Sequence, residues 1–151
     1  MSLPAAKEGD RILATDIDTH VLETARQGVY ALDRIATLSD ERRQRYFQRG
    51  TGPNAGKCRV LLALRILFQF QQLNLLNSRY DVGGPFQGLF CRNVMIYFDK
   101  PTQRDILSRL VTHMDPDSLL YTGHSENYLH AADLISPCGR ALHRRTRKAG
   151  A

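Results

Sequence analysis

The chain has 151 residues, 42% of them apolar and 24% charged, a composition that gives a globular domain with a real core. No apolar run approaches the ~20 residues of a membrane span. The leader Met1-Ser2-Leu3-Pro4 to Asp10 has none of the apolar stretch of a secretory signal. The formal net charge of +6 is concentrated in two clusters. Arg42, Arg43, Arg45 and Arg49 form one; Arg140, His143, Arg144, Arg145, Arg147 and Lys148 form the other. Such clusters attract polyanions or serve as solvated faces, and no aromatic-basic pattern accompanies them, so nucleic acid is not expected as a partner. Cys58, Cys91 and Cys138 are too few and too irregularly spaced for a disulfide framework or a metal knuckle. They read as reduced, mostly buried thiols of a cytoplasmic protein.

In chain order, residues 11–15 predict a short strand, followed by Asp16-Ile17-Asp18-Thr19. Asp18 or Thr19 caps a helix over residues 20–27 with Val21, Leu22 and Ala25 on one face, and Gly28 stops it. In a nucleotide-binding βαβ unit, a carboxylate at the end of the second strand accepts the ribose hydroxyls. Asp16 stands where that carboxylate would be, although the same turn also arises for capping reasons. Ser39 caps a basic helix over residues 39–47. The glycine-rich run 50–56 superficially resembles a phosphate loop, but it follows a helix and Pro53 removes an amide. A loop or hairpin turn fits it better. Residues 57–70 are rich in Val, Ile, Leu and Phe, predicting one or two short strands in a small antiparallel piece; residues 61–64 also fit a helix.

Residues 71–76 end another strand at Asn74, and residues 81–85 turn the chain into a buried strand over 88–91. That strand stops at Arg92-Asn93, which either bind a ligand or brace the loop backbone. Asp99-Lys100-Pro101-Thr102 then opens an amphipathic helix running to Met114, with Ile106, Leu107, Leu110 and Val111 inward. Residues 115–118 turn into a strand over 119–122, and Gly123 to Tyr128 forms the next polar loop. The basic C-terminal run continues a last strand and then frays. Strands and helices alternate, and Asp16, Asn74, Arg92, Asn93, His124, Ser125 and Glu126 collect at strand ends, which predicts a ligand crevice. His124, Ser125 and Glu126 are a poor hydrolytic triad, because neighbours on one loop rarely meet that geometry. The histidines lack zinc-ligand spacing.

Ala14-Thr15-Asp16-Ile17-Asp18-Thr19, Arg45-Tyr46-Phe47, Asn74-Leu75-Leu76, Phe90 to Lys100 and Gly123-His124-Ser125-Glu126-Asn127 resemble, in order, the CheR-type chemotaxis receptor methyltransferases. The Cys91-Arg92-Asn93-Val94-Met95-Ile96-Tyr97-Phe98 run is the most specific of these. The resemblance implies an α/β fold: a partial Rossmann-like, S-adenosylmethionine-dependent methyltransferase sheet with an inserted antiparallel β-subdomain over residues 42–70. It implies methylation of glutamate side chains on the cytoplasmic domain of membrane chemoreceptors. Asp16 would bind the ribose, Asn74 and Leu75 line the adenine end, and Arg92 and Asn93 contact the cofactor near the reacting centre. Tyr97 would lie close to the sulfonium and the incoming carboxylate. In some members the inserted subdomain docks a receptor tail peptide by strand addition.

Residues 1–151 then read as a single, truncated catalytic domain, since the family's N-terminal helical domain, first strand and glycine-containing cofactor motif have no counterpart here. Gln87, Ser118 and the apolar residues 61–64 are smaller departures. A strand edge left open predicts self-association. The alternative is a non-catalytic module docking acidic receptor tails or a partner chain.

Overall fold

The computed structural model describes residues 11–124 and 126–146. The leader 1–10, Ser125 and the expected frayed end at 147–151 lie outside the described residues. The chain divides into two compact units, 1–74 and 75–151.

In the first unit, β1 (Ile12–Asp16) leads through a tight turn into α1 (Thr19–Gln27). Asp18 caps this helix, its carboxylate accepting the N–H of His20 at 2.7 Å. Gly28 ends it in the left-handed conformation at φ 63°, where the missing Cβ avoids strain, and its N–H returns to the Thr24 carbonyl. β2 (Val29–Ala31) follows at once. Ser39 caps α2 (Asp40–Tyr46), which runs into β3 (Phe47–Arg49). β4 (Lys57–Val60), the single turn α3 (Leu62–Arg65) and β5 (Phe68–Gln72) complete the unit.

These strands form two separate sheets. β1 and β5 pair in parallel, Ile12 opposite Phe68 through Asp16 opposite Gln72. β4 lies between β2 and β3, antiparallel to both. The small antiparallel sheet therefore takes its first strand from before residue 42, and residues 68–70 belong to β5 instead. A three-residue strand such as β2 shows no alternation to read; pairing with β4 defines it. The apolar stretch 61–64 resolves as helix only over one turn.

In the second unit, β6 (Phe86–Cys91) is followed by a 3₁₀ turn, Met95–Tyr97, and by α4 (Lys100–Leu110). Asp99 caps α4, accepting the Thr102 N–H at 2.9 Å. The expected helix to residue 114 stops sooner, tightening to 3₁₀ over Val111–His113 before β7 (Met114–Thr122). Residues 115–118 are thus drawn into a strand; the register shift between Phe86 and Gly88 absorbs the extra residues, Phe86 facing Met114 and Gly88 facing Leu119. β8 (Ile135–Gly139) and β9 (Leu142–Arg145) close a sheet of order β6-β7-β9-β8. β6 and β7 are parallel, and β9 is antiparallel to both neighbours. This mixed α/β architecture, with parallel pairs and an antiparallel edge, is the fold class the sequence predicts. The core packs Ile106 and Leu107 of α4, both at 0% exposure, with Met95, Leu120 and Ile135. Burying each such side chain contributes about 1.5–3 kcal/mol. Among the described residues no helix is long and apolar enough to cross a membrane.

Candidate functional site

The polar residues of the first unit gather where β1 and β5 end together. Asp16 and Asp18 divide two tasks. Asp18 caps α1, whereas Asp16 closes the turn, its Oδ1 accepting the Asp18 N–H at 2.9 Å. The neighbouring segment is tied to the same spot: the Leu73 N–H donates to the Asp16 carbonyl at 3.0 Å, and the Gln72 amide to the Ile17 carbonyl at 3.0 Å. Asn74 follows directly, so Asp16 and Asn74 share one strand-end edge.

In the second unit, Leu75 is fixed through its carbonyl, which accepts from the Tyr80 hydroxyl at 2.6 Å and from the Arg109 guanidinium at 3.2 Å. Arg109 also donates to the Tyr80 hydroxyl at 3.2 Å and lies over its ring. Tyr80 is buried, and burial above all pushes its phenol up from the ordinary value. It therefore stays protonated and donates to Leu75.

β6 ends at Cys91, and Arg92 and Asn93 stand exposed immediately beyond it. Asn93 is left-handed at φ 57°, a conformation that asparagine tolerates better than most residues. Its side chain meets the turn beyond β7. A Cβ on Gly123 would lie 3.0 Å from Asn93 Oδ1 and 2.9 Å from the Glu126 carboxyl carbon, so any larger residue there would make these side-chain tips shift. Glu126 accepts the Gly123 N–H, which closes the turn after β7 on itself. The strand ends of β6 and β7 thus bring Asn93, Gly123 and Glu126 together, with Arg92 exposed beside Asn93 in the chain.

Burial, reinforced by the Glu126 charge, pushes the Cys91 thiol up to about 11, so it remains a neutral core group rather than a nucleophile. Tyr128 is pushed up by the same two causes in the same order. His130 and His143 are pushed down, chiefly by burial, and are neutral at pH 7. His124 is exposed, and Glu126 is engaged by Gly123.

Tyr97 projects from the 3₁₀ turn with 79% of its surface exposed. The turn is held from beneath by Gln103, whose amide nitrogen donates to the Met95 carbonyl at 2.8 Å and to the Phe98 carbonyl at 2.9 Å. Sequence reasoning passed over Gln103, Tyr80 and Arg109. A signal existed for the first: Gln103 lies three and four residues before Ile106 and Leu107, on the face assigned to the core.

In the first unit the Asp16 carboxylate is chemically able to accept from hydroxyls; in the second, the exposed Arg92, Asn93 and Tyr97 offer donors that suit an anionic group.

Known proteins extend this picture. The family model described as "CheR methyltransferase, SAM binding domain" matches residues 1–141. The chain is 50% identical over 133 residues to chemotaxis protein methyltransferase 2 of Pseudomonas aeruginosa, covering 88% of this chain and 48% of that protein. It is 50% identical to the chemotaxis protein methyltransferase of Salmonella typhimurium, covering 88% of this chain and 46% of the relative. With the Escherichia coli chemotaxis protein methyltransferase the identity is 52%, over 80% of this chain and 42% of the relative. The chain spans about half the length of these relatives.

Proposed function

The chain belongs to the CheR methyltransferase family, whose cofactor is S-adenosylmethionine, and we propose that it acts in the cytoplasm as the cofactor-binding part of a protein-glutamate methyltransferase acting on chemoreceptor cytoplasmic domains. The observation that carries this reading is the placement of polar side chains just past the carboxyl ends of parallel strands: Asp16 and Asn74 after β1 and β5, Arg92 and Asn93 after β6.

When bound, the cofactor supplies an electrophilic methyl group on a sulfonium. The acceptor is a glutamate carboxylate, anionic at neutral pH, so no residue of this chain need withdraw a proton from it or form a covalent intermediate. The chain's contribution is alignment and charge. Asp16 would accept from the ribose hydroxyls and Asn74 would line the adenine end, as would Leu75 of the second unit, whose backbone is set by Tyr80 and Arg109. Arg92 and Asn93 hold the region of the reacting centre. Tyr97 would donate to the incoming carboxylate and help to orient it.

Titration with S-adenosylmethionine tests the cofactor assignment; saturable binding weakened at least tenfold by Asp16→Asn is expected. Methyl incorporation into a receptor fragment, with a full-length relative as control, tests the reaction. Saturable cofactor binding that Asp16→Asn leaves unchanged would overturn the site assignment.

A second reading, a docking module for acidic receptor tails or a partner chain, is favoured by an open cavity of about 530 Å³ in the first unit. There Arg49 and Arg43, the latter ion-paired with Asp40 of the same lining, flank apolar Leu32, Ile35 and Phe47. Absence of saturable cofactor binding together with capture of an acidic tail peptide would select this reading. Among the described residues β1 and β6 each pair on one side only, so self-association through strand edges is also proposed and is read by size-exclusion at rising concentration.

A further inference from the structure

Gln103 is the one buried polar side chain on the inner face of α4, whose other buried positions are Ile106, Leu107 and Leu110. A polar amide in such a place is unfavourable unless its hydrogen bonds are made. Here they are. Both amide hydrogens go to backbone carbonyls, of Met95 and of Phe98, which bracket Ile96 and Tyr97. The amide oxygen accepts from the Lys100 ammonium at 3.2 Å, and this fixes the orientation, since the flipped amide would turn its oxygen toward two carbonyls. Lys100 also donates to the Asn127 carbonyl at 3.2 Å, reaching the loop that carries Glu126.

The turn itself is weakly self-supporting. Its internal bonds are Tyr97 N–H to Val94 at 3.2 Å and Phe98 N–H to Met95 at 3.1 Å, in a single 3₁₀ turn. Met95 is anchored in the core at 0% exposure, but Ile96 and Tyr97 are 55% and 79% exposed, so little packing restrains them. From this geometry we infer that Gln103 is a positioning residue for Tyr97. It clamps the carbonyls on either side of Tyr97 and thereby fixes where the phenol is presented, with Lys100 relating that turn to the Gly123–Glu126 turn. An apolar residue would serve the α4 core equally well; the amide serves the turn. The inference rests on the proposed role of Tyr97 only for its catalytic consequence, and the local clamp can be tested separately.

The test uses the full chain with Gln103→Leu, which keeps volume and suits the core, Lys100→Met, and Tyr97→Phe. Backbone order parameters at Tyr97 and Phe98 are read first. They are expected to fall from ~0.85, the value of rigid backbone, to below ~0.6 in Gln103→Leu, and by less in Lys100→Met, while α4 is unchanged. Methyl transfer to a receptor fragment is read second. Gln103→Leu is expected to lower kcat by roughly 10- to 100-fold, the scale of a misplaced reacting group, with the S-adenosylmethionine Kd unchanged within about twofold.

Unchanged order parameters in Gln103→Leu overturn the clamp. Lowered order with full kcat, while Tyr97→Phe is slow, leaves Gln103 a structural brace and overturns positioning. If Tyr97→Phe transfers methyl at the parent rate, the reading of Tyr97 fails, and with it the catalytic half of the inference, while the order parameters still decide the clamp. Should Gln103→Leu fail to fold, Lys100→Met, changed only at an exposed position, decides it by the same order parameters.

Discussion

The two units hold their candidate residues by different means. In the second, Met95, Ile106, Leu107, Leu120 and Ile135 are at 0–1% exposure, and Arg92, Asn93 and Tyr97 are presented from turns anchored to that core. In the first, the buried apolar side chains among the described residues are Leu22, Ile35 and Cys58, while Ile12, Ile17, Val21 and Phe68 stand exposed. Asp16 and Asn74 are held instead by backbone hydrogen bonds, a helix cap and an Asx-type turn. Hydrophobic burial is the larger and less local of these stabilising effects. The Arg92–Tyr97 segment is thus tied to a packed core through buried Met95 and the Gln103 amide, whereas the Asp16 edge has most to gain from a ligand.

The largest expected effect tests the core side. Leu107→Ala should cost about 3–5 kcal/mol, and Leu22→Ala nearer 2–3 kcal/mol, because a less densely packed site collapses more readily around the loss. Urea unfolding followed by hydrogen exchange measures both; equal costs would erase the contrast. Next, saturating S-adenosylmethionine should slow amide exchange at residues 12–18 and 72–74 more than in α4. Uniform slowing, or none at the Asp16 edge, would count against that edge as the ribose site. Tyr80→Phe should cost about 1–2 kcal/mol, since Arg109 and the Leu75 carbonyl lose a shared partner, and should weaken cofactor binding without changing kcat.

The smallest effect is a pH dependence confined to the second unit. His143 is buried and its folded pKa is depressed below the ordinary value near 6.5. The unfolded chain binds the extra proton, so this contribution to stability is complete above pH ~6.5 and is lost as pH falls through that value toward the folded pKa. The melting temperature should therefore be lower at pH 5.5 than at pH 7.5, and His143→Gln should flatten the slope. A slope unaltered by His143→Gln would assign it to another group, with His130 the first to examine.

The strand-turn-helix around Asp16, the caps Asp18, Ser39 and Asp99, the stop at Gly28 and the inner face of α4 were all legible in the sequence. Each depends on residues within one or two turns of one another, where capping, backbone freedom and helical period act directly. The positions of Asp16, Asn74, Arg92 and Asn93 at strand ends were legible for the same reason. What the sequence could not show is non-local. β2 exists because β4 lies beside it. Residues 68–70 join β1 because register, not composition, chooses a partner. The strand β7 extends back to Met114 because a bulge opposite β6 accommodates Pro116. Gln103 reads as a core-face misfit until the carbonyls of Met95 and Phe98 are seen above it. The phenol of Tyr80 and the guanidinium of Arg109, 29 residues apart, bond to one another and share the Leu75 carbonyl only because the fold brings them together. Local sequence thus determined which residues stand at the ends of strands. Tertiary structure alone decided what holds them there, because buried hydrogen bonds are satisfied by whichever groups the fold brings within about 3 Å.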